Sequence, residues 1–358
     1  MKNRKEINHK LIEWIKNKVR TEYAEDISLV LIYGSYINGT ANSKSDVDCY
    51  FIPKTERGFQ FANTFIIDGV GYDIFPMDWE RVERIANLEE CMAPLVGDVE
   101  IIYYKDSNEL NRFVNLQEKL KQNLSNKEYV EKIARVRCEE ASELCARIKA
   151  GRSAEEIRKW SGMAIMALAD VAAVYNQDYF HFGLKKQFED LKDNFPNVPR
   201  SIVNAYQNAV EADDEKAAAY YALKMFDEVC EYIGVTLEEK KIVWEESAEA
   251  GEINGEWLAG LYQEISSTFN KIYICCENEN DVLAFLSAVC LQRDLDEAKE
   301  AGCPQYDLLS GYHYMKLDEL YKMTKNIEDD LVRLIVENGG CIKKYDSFEE
   351  FEICMINR

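Results

Sequence analysis

Apolar residues recur every three to four positions at Ile7, Leu11, Ile12, Trp14, Ile15 and Val19, which predicts an amphipathic helix over residues 4–24. The pattern then shortens. Ser28 to Tyr33 reads as a strand, and Asp46 to Ile52 as a second one closed by Pro53. Thr64 to Ile67 and Val70 to Phe75 flank Asp68-Gly69, a dipeptide that tolerates positive φ and predicts a two-residue hairpin. An amphipathic stretch from Trp79 to Leu88, a strand from Val99 to Tyr104 and a helix from Asn108 to Leu120 complete an α+β unit over 1–123, with a small mixed sheet.

Beyond Ser125 the strand signal fades, placing a boundary near residues 122–127. Helical periodicity marks 127–150, 153–178, 198–212 and 214–233, with Ser153 and Glu156 resembling a capping box and Gly234 a C-terminal cap. These predict a helical domain over 124–236, punctuated by Pro196 and Pro199. A third, mainly helical region follows over 237–358, with helices at 240–249, 254–269, 280–299 and 315–337 and a break at Gly339-Gly340. It is either an additional domain or an extension of the second. The expected fold class is thus an α+β N-terminal domain followed by an all-α C-terminal region, without fixed-period repeats.

Composition narrows the function. Sixty-five acidic against 43 basic residues give a formal net charge of -22, which argues against a broad nucleic-acid surface and favours a neutral or cationic substrate. The 11 cysteines are scattered, with Cys275-Cys276 adjacent and no CxxC pair, so zinc-ligand spacing is absent. Met1 to Lys5 are not followed by an apolar signal core, and no apolar run approaches the roughly 20 residues that span a bilayer. Reduced thiols, a cytoplasmic location and no membrane insertion are expected. Oligomeric state leaves no mark.

The chemistry concentrates in LVLIYGSYINGTANSKSDVDCYF, Leu29 to Phe51. In a strand, residues two apart share a face, so Asp46 and Asp48 would project together while Val47 and Cys49 pack behind them. Neighbouring carboxylates repel unless a cation sits between them, and hard oxygen ligands select magnesium or manganese. Asp73, an acidic residue inside VGYDIFPM, is the third candidate; the alternative is a solvent-facing position on an edge strand. If its strand neighbours that of Asp48, the trio suits two divalent cations about 3.5–4 Å apart, with Asp73 ligating the second or accepting a hydroxyl proton. Gly34 lets the backbone approach a phosphate, the Ser35 hydroxyl can donate to it, and Ser45 can do likewise or cap the turn.

The run GSYINGTANSKSDVD, Gly34 to Asp48, resembles the signature of the DNA polymerase β-type nucleotidyltransferase superfamily: Gly-Ser, a fixed-length loop with an internal Gly at Gly39, then Ser-Asp-x-Asp. The likeness covers about the first third of the chain. It implies that Asp46 and Asp48 bind metal, that Gly34-Ser35 holds nucleotide phosphate and that Asp73 is the third carboxylate. Asn38 stands where many members carry Arg. The second domain, around YNQDYFHFGLKKQFEDL from Tyr175 to Leu191, more loosely resembles the helical substrate-binding domain of the aminoglycoside nucleotidyltransferases. In such enzymes the acceptor lies between domains, where Glu139, Glu140 and Glu143 would suit an amine-rich molecule; the plainer reading is a solvated charge face. His181, among Tyr179, Phe180 and Phe182, reads as core or interface rather than ligand.

The expected function is magnesium-dependent transfer of a nucleoside monophosphate, AMP from ATP before other nucleotides, to a hydroxyl of a small molecule, with release of pyrophosphate. An aminoglycoside-like antibiotic leads among acceptors, which would make the chain a resistance enzyme. Two alternatives stand beside it: AMPylation of a partner protein, and an idle nucleotide-binding or interaction module.

Overall fold

The helix α1 (Lys2–Glu22) opens the chain and leads through a short turn into β1 (Ile27–Tyr33). The computed structural model describes residues 2–238, 240, 253–300 and 302–356. After β1 come β2 (Asp48–Pro53), β3 (Asn63–Ile67), β4 (Val70–Pro76), α2 (Trp79–Ala86), α3 (Pro94–Gly97), β5 (Glu100–Tyr104) and α4 (Ser107–Ser125). The helices α5 (Lys127–Ala150), α6 (Ala154–Tyr175), α7 (Gln187–Asp193), α8 (Arg200–Val210) and α9 (Glu215–Ile233) follow. The chain then forms α10 (Gly255–Glu277), α11 (Asp281–Glu300), α12 (Leu317–Glu337), β6 (Lys344–Tyr345) and α13 (Phe348–Ile356). The helix expected over 240–249 lies, except for residue 240, outside the described residues.

Two compact units emerge, one built from Met1–Asn123, Ala259–Asn270 and Gly339–Arg358, the other from Leu124–Leu258 and Lys271–Asn338. The region after 237, read from sequence as one piece, contributes to both.

In the first unit a mixed six-stranded sheet runs in the order β5-β1-β2-β4-β3-β6. Strand β1 is antiparallel to β5 and β2, β2 is parallel to β4, β3 is antiparallel to β4, and β6 is parallel to β3. The β3–β4 hairpin turns as expected at Asp68 (φ 50°) and Gly69 (φ 71°), both positive, as a type I′ turn requires. The apolar stripe of α1, Ile7, Leu11, Ile15 and Val19, is buried with Val30, Ile32, Cys49, Phe51, Tyr72 and Ile74 of the sheet. Alternate residues on the opposite face, Leu29, Leu31, Tyr50 and Ile52, are buried as well. No water-facing alternation survives there, which is why β1 and β2 read as apolar runs rather than alternating strands.

The C-terminal segment completes this core. Phe351 stacks on Phe65 with ring centroids 4.3 Å apart and meets Trp14 edge-on at 5.0 Å. Neither β6 nor α13 has a sequence signal long enough to stand out, since two residues of strand carry no period. On α10, the Gln263 side chain accepts from the Lys343 backbone N–H at 2.6 Å, and Asn270 donates to the Gly69 carbonyl at 2.9 Å.

The second unit is helical among its described residues. Ser153 caps α6 by accepting from the Glu156 N–H at 3.1 Å, and Gly234 ends α9 in the left-handed conformation (φ 69°), both as the sequence predicts. Inside it the buried Lys159 ammonium pairs with Glu155 at 3.3 Å and Asp296 at 2.5 Å. All 11 cysteines are free thiols, with Cys138 and Cys230 in contact, sulfur to sulfur at 3.6 Å. No described helix is long and apolar enough to cross a membrane.

Candidate active site

Where β1 stops, the chain turns sharply through a single 3-10 turn, Gly34–Tyr36. Gly34 holds φ +76°, and a Cβ built on it would stand 2.0 Å from Asp48 Oδ2. A side chain is therefore excluded twice, by backbone conformation and by the carboxylate lying against the glycine. The loop beyond is knit by its own polar side chains. The Asn38 amide oxygen accepts from the Thr40 N–H at 3.1 Å and its hydroxyl at 2.7 Å, and the Ser35 carbonyl accepts from the Thr40 N–H at 3.1 Å. Ser45 is buried, with its hydroxyl accepting from the Asn42 N–H at 2.9 Å, so here it caps the turn.

The ladder between β1 and β2 ends at Tyr33↔Asp48, because β1 has already turned away and offers no partner further on. Strand β2 thus begins at Asp48 rather than at Asp46 as expected, and Asp46 and Val47 precede it outside the ladder. Val47 is nonetheless buried and Asp46 partly open, as alternation demands. On the other side β2 pairs in parallel with β4, Cys49 opposite Ile74. One residue back along both strands, Asp48 and Asp73 stand level, on the face away from the α1 core.

Asp46, Asp48 and Asp73 line one cavity of about 170 Å³, which Tyr33, Phe75 and, from α10, Gln263, Glu264 and Ser267 also line. The sequence trio is brought together; Ser35 and Ser45 stand back from this lining, and Gly34 reaches it through Asp48. Burial raises the pKa of Tyr33 well above the usual phenol, and the charges of Asp48, Asp46 and Asp73 add to it. Burial likewise raises the pKa of Asp73, an effect opposed by the Thr64 hydroxyl, which donates to Oδ1 at 3.0 Å from the facing position on β3.

The donor set matches a hard divalent cation: carboxylate oxygens from two neighbouring strands and the approach to one of them, without nitrogen or sulfur. Among the described residues, no three His, Cys, Asp or Glu side chains already enclose a point where an ion would sit. The fit is therefore one of donor chemistry and a shared cavity, with Asp48 turned toward Gly34.

Three lining residues have no signature in the sequence. Gln263, Glu264 and Ser267 belong to the polar face of an ordinary amphipathic helix some two hundred positions from the motif, and only tertiary contact reveals them. The contact is close: a Cβ on Gly71 of β4 would fall 2.2 Å from Ser266 Oγ and 2.8 Å from the Gln263 carbonyl oxygen. Glu139, Glu140 and Glu143 lie exposed on α5 in the second unit, Glu139 beside Arg135 at 3.5 Å and Glu143 beside Lys240 at 2.7 Å. His181 is exposed too, 3.1 Å from Asp178, while Phe180 takes the buried place in that patch.

No protein family matches the chain, and no curated protein is significantly similar to it. Among solved structures, a nucleotidyltransferase-like protein from Exiguobacterium sibiricum 255-15 is similar at 13% identity and a TM-score of 0.35, over 61% of this chain and 78% of that one.

Proposed function

We propose that the chain is a nucleotidyltransferase that moves AMP from ATP to a hydroxyl of a small molecule. One observation carries the reading: the parallel β2–β4 register that sets Asp48 level with Asp73, in one cavity with Asp46, behind the Gly34-Ser35 turn. Asp46, Asp48 and Asp73 would hold magnesium, which when bound neutralises triphosphate charge and acidifies the acceptor hydroxyl. The acceptor oxygen forms a bond to the α-phosphorus, the bond from that phosphorus to the β-phosphate bridge breaks, and pyrophosphate leaves with the electron pair. Asp73, whose Oδ1 accepts from Thr64, would use Oδ2 either to ligate the second ion, with the hydroxyl proton leaving to water, or to take that proton itself.

Size supports a division of labour. Pockets that enclose a whole drug-sized ligand run from about 300 Å³ upward, so a cavity of about 170 Å³ takes the reacting phosphate end and the acceptor oxygen, not the full nucleotide. Glu264 adds a fourth carboxylate to the lining. That favours an acceptor bearing amines, of which aminoglycoside-like antibiotics are the leading class.

The test is incubation with ATP labelled at the α-phosphate, magnesium and a panel of hydroxyl-bearing amines, followed by detection of labelled product and pyrophosphate. Labelled small molecule is expected, and its loss in Asp46→Asn/Asp48→Asn. Label that settles on a protein instead would replace the small-molecule acceptor by a partner protein. Product formation undiminished in the double variant would overturn the reading.

A further inference from the structure

The apolar stripe of α1 is interrupted at its N-terminal end by two buried polar residues four apart, Arg4 and Asn8, 5% and 1% exposed. On a helix they share the face that carries Leu11, Ile12 and Ile15 into the core. Nothing about packing requires them. What they touch explains them.

The Asn8 amide nitrogen donates to two consecutive backbone carbonyls, Ser45 at 3.2 Å and Asp46 at 3.3 Å. Its amide oxygen accepts from the Tyr72 hydroxyl at 2.6 Å. Tyr72 immediately precedes Asp73 on β4 and points the other way, into the core, as strand alternation dictates. Arg4 completes the relay. Its guanidinium donates to the Tyr72 hydroxyl at 3.1 Å, the Ile67 carbonyl at 3.2 Å, the Asp68 carbonyl at 3.0 Å and the Asp68 carboxylate at 2.8 Å, with a longer bond of 3.4 Å to the Ser43 carbonyl. One hydrogen-bonded chain thus runs from the β3–β4 hairpin through Tyr72 to the peptide of Asp46.

Asp48 and Asp73 sit in the ladder, where paired strands fix them. Asp46 lies just outside it. We propose that Asn8 is a positioning residue that fixes the Asp46 backbone relative to β4, and so sets the spacing of the Asp46 and Asp73 carboxylates across the cavity, with Tyr72 and Arg4 holding its amide in register. The inference rests on the nucleotidyl-transfer reading, in which that spacing decides how tightly a divalent cation is held.

Asn8→Ala removes both donors; Tyr72→Phe removes only the hydroxyl that orients the amide and preserves ring packing. Mn²⁺ binding in the presence of ATP, followed by electron paramagnetic resonance, is measured beside thermal melting for each. Gln117→Ala serves as a stability control, since Gln117 donates to the Val96 carbonyl in the same unit, among residues that do not line the cavity. Residues that orient metal ligands typically cost tenfold or more in affinity when removed. Asn8→Ala should therefore bind Mn²⁺ about tenfold more weakly, Tyr72→Phe should be weakened to a smaller extent, and Gln117→Ala should bind as the wild type does.

If Asn8→Ala does not fold, Tyr72→Phe decides. Lower melting temperatures with Mn²⁺ affinity unchanged, or an equal loss in Gln117→Ala, would overturn the positioning role alone. Absence of Mn²⁺ binding by the wild-type protein would overturn the nucleotidyl-transfer reading and this inference with it.

Discussion

Gly34 and Asp48 are thirteen residues of loop apart yet share one constraint, because the carboxylate occupies the space a side chain at 34 would need. Gly34→Ala adds a left-handed alanine, a strain of about 1–2 kcal/mol, and pushes Asp48 off the cavity. We expect a modest fall in the urea midpoint and a much larger loss of ATP–Mn²⁺ binding in titration calorimetry. Asp26 gives a prediction of a different kind. The Thr55 hydroxyl donates to it at 2.6 Å, and this bond, with that of Arg57, lowers its pKa against the opposing effect of desolvation. A carboxyl whose folded pKa lies below its unfolded value stabilises fully above the unfolded pKa of about 4, and the contribution disappears as pH falls through the folded value. Asp26→Asn should melt below the wild type at pH 7, and the two melting curves should converge below pH 4. Asp46 and Asp48 were legible because Gly-Ser and Asp-x-Asp at fixed spacing announce a strand, a tight loop and a second strand, and Asp73 because an acidic residue breaks an otherwise apolar strand. Asn8 was not, since a polar residue on an apolar helical stripe looks like a defect until its partners are known.

At the scale of elements, the site depends on α10 lying almost in backbone contact with β4 at Gly71. Gly71→Ala brings a methyl to 2.8 Å from the Gln263 carbonyl oxygen, which cannot rotate away as the Ser266 hydroxyl can. Overpacking of this kind costs about 1–3 kcal/mol. The fall in stability, read by urea denaturation, should persist in Gly71→Ala/Ser266→Ala, where the hydroxyl is gone but the carbonyl remains. Rescue by the second substitution would show that α10 does not approach β4 so closely. Helices α1, α5 and α12 follow the sequence expectation closely because their apolar period is long, and in α1 the two polar residues on the stripe, Arg4 and Asn8, stand at one end and leave the period from Leu11 onward intact. The start of β2 does not, because a strand ends where its partner turns away, and that is a property of β1.

For the molecule as a whole, the expected third region divides between two units, since residues 259–270 and 339–358 join the first and 271–338 the second. Periodicity finds helices but says nothing about which sheet a distant helix covers. Removing residues 339–358 takes away Phe351, fully buried between Trp14 and Phe65, and the segment that pairs with β3. Emptying an aromatic site of that kind costs about 3–5 kcal/mol. The truncated chain should bind a dye for exposed apolar surface and lose its sharp melting transition; an unaltered transition would mean that the sheet is stable without its last strand. The same pairing bears on synthesis. While a ribosome adds residues 124–338, a matter of about 10–40 s at ordinary rates, the outer edge of β3 waits with Ile66 and Asp68 N–H groups that later donate to the Lys343 and Tyr345 carbonyls. Such an edge is a template for pairing with any other extended chain. The nascent protein is therefore open to misassembly along β3 until residues 343–345 have been made, and extra chaperone capacity in the expression host should raise its yield.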